Sequence, residues 1–161
     1  VNDFAIEFLL SVTLITLAIF MRNTVTSLPG IKSIGYVDCE MLIPNVVLRG
    51  ICSMDVPILE QVSMLDFCGT PTCSCKREYQ NNGKSETATL KFSCLEELPL
   101  HKHLGFVVVD TNGQSFLIGS REKCFPTVTA TADSGAPSGD AAITSYEVQW
   151  KSIKSLIPCI I

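Results

Sequence analysis

The residues best suited to chemistry lie in two short clusters. Cys68, Cys73 and Cys75 sit close together, and His101 and His103 follow downstream. Thiolates and imidazoles suit tetrahedral zinc, and two histidines at i and i+2 on a strand face the same side. The spacing argues against a site, because Cys73-x-Cys75 lacks the two intervening residues of a usual zinc knuckle. The expectation is a turn with buried thiols and two surface histidines flanking Lys102, with no metal and no cofactor.

A nucleophilic cysteine needs a histidine base oriented by a third group. Neighbouring histidines among many thiols permit that arrangement and do not specify it. The chain has no G-x-S-x-G elbow, H-E-x-x-H helix, phosphate-binding glycine loop or dinucleotide fingerprint. Glu96-Glu97 is a carboxylate pair, but neighbours on a short turn point apart and are expected in solvent. Arg121, Glu122 and Lys123 are expected to form a charged loop, with an inter-subunit ion pair as the other reading. These residues predict no enzyme and no small-molecule substrate.

Composition narrows the partners. The 12 basic residues against 16 acidic ones are scattered singly or in pairs such as Lys76-Arg77. No basic patch is present to neutralise a phosphate backbone, so direct nucleic-acid binding is not expected. The eight cysteines are consistent with a disulfide framework in a secreted chain and with buried thiols in a reducing compartment. Cys94 continues the apolar face Ala88, Leu90, Phe92, which favours reduced core thiols.

At 161 residues the chain suffices for one domain, expected over residues 21–161. Ahead of it, Phe8 to Met21 is an uncharged apolar run, shorter than the ~20 residues a helix needs to cross a bilayer. It suits a secretory apolar core in length, yet Asp3 and Glu7 precede it without Lys or Arg. Residues 1–20 therefore have three readings: an over-long gene start with the native chain beginning at Met21, a signal or membrane anchor, or a buried helix.

The elements that must position all these residues are mostly strands. Ile31 to Val37 and Val56 to Val62 are short β-compatible runs, with loop expected around Pro44, Asn45 and Gly50. Phe67 to Cys75 predicts a turn. Asn81-Asn82-Gly83 then closes a hairpin between Cys75–Gln80 and a half-buried strand running from Glu86 to Cys94. Leu95 to Leu98 allows one helical turn before Pro99.

Leu104 to Val109 is an unbroken apolar run that predicts a strand covered on both faces, turned at Asp110–Gly113 and returning over Gln114 to Gly119. Thr127–Ala132 and Thr144–Lys151 form a last pair. Their connection, Asp133 to Ala142, is rich in Gly, Pro, Ser and Ala, and a loop of that length in a compact domain is functional or disordered. Asp133, Ser134, Gly135, Ala136, Pro137, Ser138, Gly139 and Asp140 are accordingly the candidate assembly loop. The expected fold is mainly β, an antiparallel sandwich or barrel with a long hairpin loop.

Four segments carry a resemblance: FCGTPTCSCKREYQNNG (Phe67 to Gly83), GQSFLIGSREKCFP (Gly113 to Pro126), SGAPSGD (Ser134 to Asp140) and KSLIPC (Lys154 to Cys159). From about Met21 to its end the chain resembles short structural proteins of the virions of tailed phages and prophages of gut bacteria. The resemblance implies a subunit of the tail or head–tail region, located in the virion or host cytoplasm. It implies self-association and contact with other virion proteins through strand edges. The alternative is an exported, surface-anchored β-sandwich binding module of a gut bacterium, membrane-bound only if residues 1–20 are a true anchor.

Overall fold

The computed structural model describes residues 30–81, 83–134 and 142–161. The hydrophobic segment 1–20 lies outside that range. Among the described residues ten strands form two sheets in a mainly β fold. Sheet one runs β2 (Val56–Pro57), β10 (Ile157–Ile160), β7 (Ser115–Ile118), β6 (Leu104–Asp110), β1 (Ile31–Asp38), β3 (Ser63–Leu65). Sheet two is β4 (Phe67–Gln80), β5 (Gly83–Cys94), β9 (Ile143–Ser152), β8 (Thr127–Asp133). Among the described residues neither sheet closes on itself, an architecture consistent with a sandwich rather than a barrel.

Strand periodicity builds the core between them. On sheet two, Ala88, Leu90 and Phe92 of β5 lie opposite Trp150, Val148 and Tyr146 of β9, and all six are buried. From sheet one, Phe106 meets Phe92 with ring centroids 6.0 Å apart, and Phe92 stacks on Tyr146 at 5.4 Å. Ile34, Val108 and Ile118 share the face of Phe106 through their register. Burying each such side chain contributes about 1.5–3 kcal/mol.

The predicted double cover of β6 holds. Gly105 and Val107, on its second face, are also buried, with Leu42 and Cys39 lying over Gly105. Only residues 58–62 join β2 at one edge of sheet one to β3 at the other. That stretch reaches about 20 Å, less than the ~24 Å across six flat strands. The sheet must therefore be rolled.

Four local expectations change. The stretch around Pro44, Asn45 and Gly50 is not all loop: Val46–Ile51 is a short helix, α1, following a 3-10 turn at Cys39–Met41. A Cβ on Gly50 would stand 3.0 Å from Ile157, so glycine permits the helix to sit this close to β10. The run Val56 to Val62 splits into β2 and the approach to β3, because its ends belong to opposite edges.

Phe67 to Cys75 is the first half of a 14-residue strand, not a turn. Its Gly69, at φ +75°, falls in a register shift between Cys68 and Thr72, the kind of bulge an edge strand tolerates. Leu95 to Leu98 forms no helical turn. The Tyr146 hydroxyl donates to the Glu96 carbonyl at 3.3 Å and accepts from the Leu98 N–H at 3.3 Å. Those bonds, with burial of Leu98, hold the segment in a bend.

Candidate functional site

Unpaired backbone at a sheet edge is a template for another strand, and edges are normally guarded by brevity, proline, bulges or charge. Three of the four edges among the described residues are guarded. β2 has two residues, one of them Pro57, and β3 has three. β4 is long, but it carries Pro71, the bulge near Gly69, and the charges of Lys76, Arg77 and Glu78. Glu78 holds Lys76 at 2.7 Å on that edge.

β8 has neither brevity, proline nor bulge, and its one charge stands at its last residue. Its seven residues, TVTATAD, pair with β9 on one side only, from Thr127 opposite Gln149 to Asp133 opposite Ile143. No charge occurs before Asp133. Val128 is half-buried on the core and every other residue of the strand is exposed. Ala130 and Ala132 are on the same side as Val128, yet the opposing sheet leaves them uncovered. Asp133 thus ends the strand and Ser134 follows it, both exposed. Gly135, Ala136, Pro137, Ser138, Gly139 and Asp140 lie outside the described residues.

The opposite end of sheet two holds a charge cluster. Glu86 faces inward on β5, directly opposite Arg77 of β4, and is almost wholly buried. Its Oε1 binds Lys84 Nζ at 2.7 Å and Arg77 Nε at 3.1 Å. Its Oε2 accepts from the Ser155 N–H at 3.2 Å and from the Cys75 thiol at 3.8 Å. Cys75 Sγ is also 3.5 Å from Ser155 Oγ. Burial works to raise the Glu86 carboxyl, but hydrogen bonds from Lys84 and Ser155 and the charges of Lys84 and Arg77 hold its pKa below the ordinary value. The cluster ties the β9–β10 connection to the β4–β5 hairpin.

The first-named chemical residues are not gathered into one site. Cys73 and Cys75 point to the inner side of β4, Cys73 packing against the core. Burial pushes the Cys73 thiol up to about 12, assisted by Cys75, and does the same to Cys159, assisted by Asp55. Cys39 likewise rises to about 12 through burial and the charge of Asp38, so all three are neutral thiols rather than nucleophiles at pH 7. Cys94 is buried in the core, as its place in the β5 alternation predicts.

His103 stacks on Phe125 with ring centroids 4.1 Å apart. His101 lines a groove of about 470 Å³ with Tyr36, Glu60 and Met41, where Lys102 and Asp38 neutralise each other at 3.4 Å. Among the described residues no group of three or more His, Cys, Asp or Glu is disposed to hold a metal ion.

Glu96 and Glu97 are exposed. Of the charged loop, Glu122 is spoken for within the chain: its Oε1 accepts the Asn45 N–H at 2.8 Å, anchoring the start of α1. In the sequence Glu86 marks only the start of the half-buried strand, although its parity with Ala88, Leu90 and Phe92 places it on the inner face. The open edge also had a signal, since Val128 is the only sizeable apolar residue in Thr127–Asp133. Compared with family models, curated proteins and solved structures, the chain matches none.

Proposed function

We propose that this chain is a non-enzymatic structural subunit of a tailed-phage or prophage virion, in the tail or head–tail region. It associates with itself and with other virion proteins through strand edges, and needs neither cofactor nor direct contact with nucleic acid. The observation that carries the reading is the unguarded β8 edge, seven residues long on a sandwich whose other edges are guarded. Exposed backbone of that length is costly to leave as an aggregation hazard, and a subunit that pairs it within an assembly removes the hazard. The segments at Phe67 to Gly83 and Gly113 to Pro126 add the resemblance to virion proteins.

The test is fractionation of a culture of the natural source after prophage induction. The chain is expected to co-sediment with density-purified particles and to be detected there by mass spectrometry. Recovery in the cell envelope with none in particles would replace this reading with the exported binding module.

A further inference from the structure

Resting on that assembly reading, we propose that β8 is a two-fold self-pairing edge: it joins β8 of a second copy of this chain in antiparallel register centred on Ala130. Among the described residues, the seven of Thr127–Asp133 pair with β9 on one side and with no strand on the other. An isologous contact requires a surface complementary to itself. Written against its own reverse, TVTATAD satisfies this. Ala130 falls on the axis, Thr129 opposite Thr131, Val128 opposite Ala132 and Thr127 opposite Asp133, twice over.

This is the register that pairs all seven residues. It brings Thr–Thr pairs together on the outer face, a favourable cross-strand combination. On the inner face it brings Val128 and the uncovered Ala130 and Ala132 against their counterparts. The strand's one charge, Asp133, meets a threonine rather than another carboxylate. Pairing β8 with the β4 of another copy would instead set its threonines and alanines against Lys76, Arg77 and Glu78 and against the bulge near Gly69. Joining two β8 edges produces one continuous eight-stranded sheet across the dimer.

The Thr127–Asp133 pair supplies a test in which the sign of the effect identifies the register. Thr127→Lys sets a lysine against Asp133 of the other copy, and Thr127→Asp sets two carboxylates together. Sedimentation equilibrium of the wild type and variants at low ionic strength measures the dimer dissociation constant. Circular dichroism confirms that each variant is folded. The expected result is a wild-type dimer tightened about five-fold by Thr127→Lys and loosened about five-fold by Thr127→Asp. Ala130→Glu, which opposes two carboxylates on the axis, should weaken it at least about ten-fold.

A lysine that merely guarded the edge would weaken association, so loosening by both Thr127 variants overturns the proposed register. A wild type that stays monomeric at every concentration also overturns it, as does association indifferent to all three changes. In each case the virion reading stands or falls separately, on whether the chain is found in particles.

Discussion

The two edges of sheet two are a natural contrast, because they belong to the same four strands and share one core. At the β4 edge, the strand is bulged and charged, and behind it a buried carboxylate is held by Arg77, Lys84, Cys75 and Ser155. At the β8 edge there are exposed threonines and alanines about a half-buried Val128, with Asp133 last, and among the described residues no ion pair ties the strand to its neighbour. One edge is guarded by its bulge and charges, and the carboxylate of Glu86 behind it is spent inside the chain. The other, among the described residues, has its backbone paired on one side only. Charge count alone is therefore a poor guide here: the charged end holds the strands to one another, and the featureless end is the one proposed to interact.

The sharpest way to break that contrast is to remove Glu86. Glu86→Ala leaves Arg77 and Lys84 without their shared carboxylate and the Ser155 N–H without an acceptor, and should lower stability by about 2 kcal/mol in urea denaturation. The discount from the larger cost of breaking a fully buried pair reflects the partial exposure of both cations. Self-association measured on the folded protein should be unchanged, since β8 lies at the other edge of the sheet.

A smaller effect follows from pH. The folded Glu86 pKa is depressed, so its contribution is fully present above the ordinary glutamate pKa of about 4.3 and is lost as pH falls through the lower folded value. Glu86→Gln should flatten the stability profile as pH falls below the ordinary value of about 4.3. A wild type and a variant with parallel profiles would show that the carboxylate is not what holds this end together.

Cys75→Ser is smaller again. A hydroxyl keeps the donor toward Glu86 and the contact with Ser155, so stability should change by less than about 1 kcal/mol. Smallest of all is Thr129→Lys on monomer stability. Thr129 is exposed and lies opposite Glu147, where a lysine is accommodated beside the existing Lys91–Glu147 pair, so thermal unfolding should shift by no more than about 0.5 kcal/mol. A large loss there would mean that β8 is already part of the packed core and not an interactive edge.

Much of the local fold was legible in the residues. The hairpin at Asn81-Asn82-Gly83, the return after Asp110–Gly113 and the pairing of Thr127–Ala132 with Thr144–Lys151 all follow from turn chemistry and alternation. With Gln80 facing Gly83, even the opposition of Arg77 and Glu86 is a matter of counting. The candidate assembly loop was legible only as composition, and six of its eight residues, Gly135 to Asp140, fall outside the described range.

What the sequence could determine by itself is short in range: side-chain period sets which face of a strand is apolar, and a tight turn sets the register of the strand that follows. Tertiary structure decided everything that depends on residues meeting from far apart. It made Val46–Ile51 a helix by seating Gly50 on Ile157 and tying Asn45 to Glu122, 77 residues away. It brought the Ser155 N–H to Glu86 across 69 residues. It also chose the edges, because β5 gained β9 as its second neighbour while β8, among the described residues, gained no second one. Strand propensity is a property of each residue, but edge status depends on all the long-range pairings made by the other strands, and no local pattern contains that information.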